Sequence, residues 1–419
     1  MKAIIRKCRI VSPGTDYNGK IWDILIEDGM ISKIASHINA NDAREISSPN
    51  LHMSIGWVDL FSSIPDPGYE HRETLESGSK SAASGGFTSI FITPNTKPAI
   101  TTKSQIEYVM SQNNTLPTEI QPMGCISKNG EGKELAEMYD MHNSGATLFS
   151  DGLNPVQNPN LMIKALLYAM ANDTLIVQIP DETHISAHGL INEGLVSTTL
   201  GLPGKPSIAE ELMISRDIEL LRYTGSKLHI TGISTASGLE KIRKAKKEGL
   251  NITCSVTPYH LFFSEEDLNT YDTNLKVNPP IRTASDRESL RSGLQDGTID
   301  CITSHHQPLH HDDKHCEFEY AKYGMNGFET CFSAAVASMG YSDDLITKLS
   351  INPRRISKMD MPEIKEGVQA CLTLFDPTIE CVYSKDNLKS LSKNSAFLNK
   401  PLLGKVIGTI HNKKININP

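Results

Sequence analysis

Gly56-Trp57-Val58-Asp59-Leu60-Phe61-Ser62-Ser63-Ile64-Pro65-Asp66-Pro67-Gly68 is the stretch that decides how this chain is read. An apolar run carries one aspartate and is halted by two prolines, the pattern of a buried strand that ends in a tight turn. Strand side chains alternate faces, so Phe61 and Ser63 point the same way from its end. Two residues so placed can jointly grip one metal ion. A phenyl ring cannot ligate at all, and a serine hydroxyl is a poor zinc ligand.

Downstream, strands alternate with helical stretches. Thr88–Thr93 is a buried-type strand before Pro94-Asn95-Thr96, and Ala146–Phe149 ends at Ser150-Asp151. Leu175–Ile179 ends at Pro180, Lys227–Thr231 at Gly232-Ile233-Ser234-Thr235, Asn251–Val256 at Thr257-Pro258, and Ile299–Ile302 at Thr303-Ser304-His305. Helices are predicted over Leu239–Glu248 and Asp286–Leu294. Repeated βα units predict an α/β protein built on a (β/α)8 TIM barrel, in which the polar residues just after each strand face the active-site mouth.

The two ends read differently. Ile4–Val11, Ile21–Gly29 and Ile31–Ile34 are strands, the last two flanking a hairpin turn. Cys371–Pro377 is a strand stopped by proline, and Gly404–Ile410 is another. Residues 1–52 and 365–419 are therefore expected to fold together as a small β-sandwich domain, leaving 53–364 for the barrel.

Composition narrows the function. The chain has 419 residues, 38% of them hydrophobic and 21% charged, which suits a globular protein with an ample core. A net charge of −8 argues against a nucleic-acid partner. The absence of an apolar stretch of about 20 residues argues against a membrane span. The N-terminus lacks the apolar core of a signal peptide. Eight scattered cysteines without a C-x-x-C pair are expected to be reduced, mostly buried thiols in a cytoplasmic protein.

At this point the chain resembles the dihydroorotase family of the amidohydrolase superfamily, in its long bacterial form. The resemblance runs nearly end to end. It is carried by Ser84-Gly85-Gly86-Phe87-Thr88, Pro94-Asn95-Thr96-Lys97-Pro98, Gly201-Leu202-Pro203-Gly204-Lys205-Pro206 and Val256-Thr257-Pro258-Tyr259-His260-Leu261. Lys276-Val277-Asn278-Pro279-Pro280-Ile281-Arg282, Asp296–Asp300, Gly327-Phe328-Glu329-Thr330 and Asn352-Pro353-Arg354-Arg355 complete it. The resemblance implies hydrolysis of a cyclic amide by a zinc-activated water, with an aspartate moving the proton.

The family's strand-end groups are largely replaced here. His-x-His after the first strand is Phe61 and Ser63. A carboxylate survives as Asp151, although Gly152 stands where a second aspartate is usual. Gln178 and Gly232 occupy histidine positions, and His305 occupies that of the catalytic aspartate. Pro65 replaces the arginine that would clasp a substrate carboxylate. Asn95 and Asn278 match substrate-contacting asparagines, with turn geometry as the competing reason for their presence. His260 and His306 are further pocket remnants, while His229 reads as a satisfied core or pocket histidine. One carboxylate does not hold zinc, so no catalytic residue, metal or other cofactor is expected.

Two signals compete with that reading. The cluster His305, His306, His310, His311, His315 and Cys316 is either a relocated metal site or a polar loop in which His306 supports its neighbours. Asp151, left without a cation, should find a partner, and His305 enters near it. Three functions follow. A non-catalytic homologue would partner the catalytic chain of aspartate transcarbamoylase in pyrimidine biosynthesis, as the resemblance implies, with a homo-oligomer as its form. Alternatively, the chain is a dihydroorotase or other cyclic amidohydrolase with an atypical centre, or a small-molecule binding protein that uses the emptied pocket.

Overall fold

The computed structural model describes residues 2–419. At its centre lie eight short strands: β1 (Trp57–Ser62), β2 (Phe87–Ile92), β3 (Glu119–Pro122), β4 (Leu148–Phe149), β5 (Leu175–Gln178), β6 (Leu228–Ile230), β7 (Ile252–Val256) and β8 (Cys301–Ile302). β1 to β3 pair in parallel, as do β4 to β8. A parallel bridge between Gly124 and Phe149 joins the two groups. Between β8 and β1, Ser63 N donates to His306 O at 2.7 Å, completing a (β/α)8-type ring.

The aspartate within the apolar run of the opening stretch, Asp59, fastens that closure. Asp59 is fully buried, and its carboxylate accepts from Ser304 N at 2.9 Å, from Thr303 Oγ1 at 2.5 Å and from the Ser304 hydroxyl. β1 is buried at every position, which explains why its apolar residues run almost without alternation. The helix after β6, Ala236–Lys247, is capped by Thr235, whose side chain accepts from Gly238 N. It turns Leu239, Ile242 and Ala245 inward and keeps Lys244, Lys246 and Lys247 at its negative end. Each fully buried leucine or isoleucine in such a face contributes about 1.5–3 kcal/mol.

Sequence patterning does not mark β3. Glu119-Ile120-Gln121-Pro122 has one apolar side chain flanked by polar ones and takes its strand geometry from the neighbouring β2.

Both chain ends enter a second sheet of eight strands. Strand 2–11 lies between strands 52–55 and 21–27 and also pairs with 44–46; strand 372–382 lies between 52–55 and 401–411. Hydrogen bonding makes this one continuous sheet. Asp28 and Gly29, at φ 51° and 81°, form the expected hairpin turn. Pro377 does not stop its strand, however: Leu372–Val382 continues past it, with a register shift between Asp376 and Glu380. Asp376 compensates by accepting from Thr378 N and Asn50 N.

Arg354 ties the sheet to the barrel. It is 3% exposed, and its guanidinium donates to Gly56 O at 3.1 Å, Thr88 Oγ1 at 3.2 Å and Cys371 Sγ at 3.5 Å. All eight cysteines are free thiols, six of them buried. Among the described residues no helix is long and apolar enough to cross a membrane.

Candidate site at the barrel mouth

The C-terminal ends of the barrel strands bring the singled-out positions to one end of the fold, where each is tied to its neighbours. Phe61 is buried in an apolar cluster with Leu60, Phe91 and Val177, and its ring lies 4.6 Å from that of His305. The Gln178 amide accepts from Val156 N and donates to Val156 O, both at 3.3 Å, so it acts as a surrogate strand partner.

Two glycines show what fills the space of missing side chains. A Cβ on Gly232 would lie 2.5 Å from His305 Cε1, and a Cβ on Gly152 would lie 1.9 Å from Asn95 Oδ1. Both glycines also have positive φ, 71° and 62°, which disfavours any other residue. Asn95 braces this turn: it accepts from Leu153 N at 2.8 Å and donates to Asp151 O at 3.1 Å.

Asp151 does not pair with His305. Its carboxylate accepts from Ser127 N at 2.8 Å and from the Ser127 hydroxyl, and His305 Nε2 meets Thr231 Oγ1 at 2.8 Å. Sequence spacing placed both groups at the mouth but gave no sign of Ser127, which follows the short β3. Burial pushes Asp151 up to about 6 against the bonds from Ser127. Burial, reinforced by His260 and His229, pushes His305 down to about 3, so it is neutral. A neutral imidazole offers no charge to a carboxylate, and a serine supplies two donors instead.

The other histidines are also engaged. His260 Nε2 faces Pro279 O at 3.1 Å and Pro280 O at 3.2 Å, which makes it the protonated nitrogen and leaves Nδ1 to accept from Thr257. His229 bridges Thr253 and Ser255. His306 stacks on Phe328 at 4.0 Å, accepts from Gly327 N and turns Nε2 toward Glu73, 3.7 Å away. His310, His311 and His315 are exposed on the following loop.

A buried network that includes residues outside the candidate set stands beside them. Lys205 Nζ is 2.6 Å from Asp181 Oδ2 and donates to Asn278 Oδ1 at 2.6 Å. Asn278 is thus held by a lysine. Arg282 donates to Ser234, to Asn192 and to the Lys205 carbonyl, and its guanidinium is 3.7 Å from Glu210. Lys205 and Arg282 lie inside the quoted motifs; their signal was position within a motif, without a sign of what they bind.

The donor set does not fit zinc. Phe61 and Gly232 have nothing to donate, Gln178 and His305 are committed to neighbours, and Asp151 is enclosed by Ser127. Among the described residues no group of three or more His, Cys, Asp or Glu side chains can hold a metal ion, the 305–316 cluster included. A cavity of about 760 Å³ opens above, bordered by Arg72, Ile179, Lys276, Asn278, Gln307 and Tyr323. None of Phe61, Ser63, Asp151, Gln178, Gly232 and His305 lines it.

A family profile described as Dihydro-orotase-like matches residues 52–238. A dihydroorotase from Syntrophus aciditrophicus is 37% identical over 98% of this chain and 98% of its own length. Another, from Carboxydothermus hydrogenoformans, is 39% identical over 94% of each. The chain belongs to the dihydroorotase family. Solved structures carry the same fold: an L-hydantoinase from Arthrobacter aurescens superposes with a TM-score of 0.84 at 23% identity, covering 99% of this chain and 95% of its own. A dihydropyrimidinase from Brevibacillus agri gives 0.82 at 19% identity, covering 100% and 95%. The match to this dihydroorotase family runs over nearly the whole chain.

Proposed function

We propose that this chain is a dihydroorotase homologue without zinc and without catalysis, retained as a structural partner of the aspartate transcarbamoylase catalytic chain in pyrimidine biosynthesis. One observation carries the loss of chemistry: the spaces that ligands on residues 152 and 232 would need are occupied by Asn95 and His305. A merely vacant site could still recruit an ion from solvent; a site packed with its own side chains cannot do so without rearranging. Loss of a single supporting group at a metal site already costs 10–100-fold. The partner assignment rests on the family resemblance, and the reading places the chain in the cytoplasm as a homo-oligomer.

Metal analysis of protein purified without chelators, together with a dihydroorotate turnover assay, tests the first part. The expected result is less than a tenth of an equivalent of zinc and no turnover above background. Zinc at one equivalent with turnover would restore the atypical-centre reading. Co-expression with the transcarbamoylase chain tests the second part, with a stable co-eluting complex expected.

A second reading, a small-molecule binding protein, is favoured by the cavity of about 760 Å³, within the usual range for ligand pockets. Turnover-free binding of dihydroorotate or carbamoyl aspartate by calorimetry, in the absence of any complex, would favour it over the scaffold role.

A further inference from the structure

A second cavity, of about 570 Å³, lies on the other side of Leu309 from the mouth. It is formed mainly between the loop that follows β8 and the strap that joins strands 372–382 and 401–411, with His71, Thr273 and Asn274 completing its wall. Lys314 and His310, His311 and His315 face it from the loop, Lys385 and Lys393 from the strap, and no carboxylate lines it. The loop's own acids are already engaged. Asp313 pairs with Arg72 at 3.1 Å and with Lys322 at 2.7 Å, and Asp312, 84% exposed at the rim, lies 3.3 Å from His310 and 3.6 Å from His311.

Lys314 is the telling residue. It is buried, and its ammonium donates to Thr273 O at 2.8 Å and Lys276 O at 3.2 Å, two of the three bonds it can give. Among the described residues it makes no ion pair. Lys276, itself buried, donates only to the carbonyls of Phe318 and Glu319. Two lysine amines are thus buried close together and held by carbonyls, that of Lys276 also lying over the Phe318 and Tyr323 rings, with no carboxylate of the described residues within ion-pair distance of either. Burial and the neighbouring Lys276 push Lys314 down to about 7, against the more distant attraction of Asp272 and Asp313. Lys393 is likewise satisfied by the carbonyls of Leu388 and Ser390. Beside these cations lie Leu309, Leu391 and Leu398.

We propose that this cavity binds a small organic phosphate, its phosphoryl oxygens against Lys314, Lys385 and the loop imidazoles and its organic part against the three leucines. Compact ammonium charges suit phosphate as point-charge partners, whereas a site for planar carboxylates is better served by guanidinium forks. The cavity volume accommodates a nucleotide-sized molecule. Because the loop and the strap both contribute to its walls, occupancy would also tie the strap to the loop. The proposal does not depend on the scaffold reading above.

Calorimetry on the full chain with ADP and pyrophosphate, at low and at 300 mM salt, tests it, with adenosine and citrate as controls. ADP should bind with sub-millimolar affinity, pyrophosphate more weakly and adenosine at least tenfold more weakly than ADP, with binding falling as salt rises. Because Lys314→Gln could unfold the loop, the decisive variant is Lys385→Gln with His311→Gln, both exposed in the free protein. It should weaken ADP at least tenfold, whereas Lys164→Gln, an exposed lysine that does not line this cavity, should leave it within twofold. Amide exchange in 384–398 should slow when ADP is present. No binding of ADP or pyrophosphate at millimolar concentration in low salt would overturn the proposal. So would citrate binding as tightly as ADP, or an undiminished affinity in the double variant.

Discussion

His305 occupies the space that a side chain on residue 232 would need: a Cβ on Gly232 would lie 2.5 Å from the imidazole. The two positions fit together in space. One carries no side chain, and the other fills the volume with a neutral ring that bonds Thr231 and packs on Phe61. Close packing of this kind leaves little room to change either residue alone.

Gly232→His should therefore destabilise the protein without restoring a ligand. The clash with His305 and the backbone φ of 71° act together, and each class of effect costs about 1–3 kcal/mol. Urea denaturation should show a midpoint lowered accordingly, and the double variant Gly232→Ala with His305→Ala should recover less than half of the loss, since the strained φ remains.

Phe61→His with Ser63→His would place at the end of β1 the two histidines that the family resemblance implies. It should take up no more zinc than the wild type, because a catalytic centre needs about three protein ligands, Gln178 and Gly232 supply none, and the one imidazole beside Phe61, that of His305, has its Nε2 held by Thr231. Metal content by mass spectrometry after gel filtration is the check.

His305→Leu should change the pH dependence of stability in a defined direction. The folded-state pKa of His305 is depressed to about 3, below the ordinary 6.5, so protonation of the unfolded chain drains stability as pH falls below 6.5. The wild type should lose about 2 kcal/mol relative to the variant between pH 7 and pH 5. Parallel denaturation curves at the two pH values would decide it.

Asp59→Ala should behave in the opposite sense. Burial raises Asp59 to about 6 from an ordinary 3.8, so the folded state holds its proton more tightly and gains stability as pH falls through 6 toward 3.8. Between pH 7 and pH 5 the wild type should gain about 1 kcal/mol relative to the variant. At pH 7 the variant should be destabilised by about 3 kcal/mol, because Ser304 N and the Thr303 and Ser304 hydroxyls lose their acceptor where the ring closes.

Much of the barrel could be read in advance because parallel strands buried on both faces leave continuous apolar runs. β3 escaped because Glu119-Ile120-Gln121-Pro122 owes its conformation to pairing with β2. Pro377 misled for a related reason. A proline at an irregular point of a ladder interrupts the register without ending the strand, because Asp376 satisfies the nearby donors.

At the mouth, residue identity alone determined that the side chains at Phe61 and Gly232 have no lone pair to offer, since no fold can supply one. Tertiary structure alone decided what the remaining polar groups do. Asp151 meets Ser127, Asn278 meets Lys205 and His305 meets Thr231, across sequence separations of 24, 73 and 74 residues. Such partners are selected by three-dimensional proximity and by the cost of burying an unpaired polar atom, and neither quantity is written in local sequence.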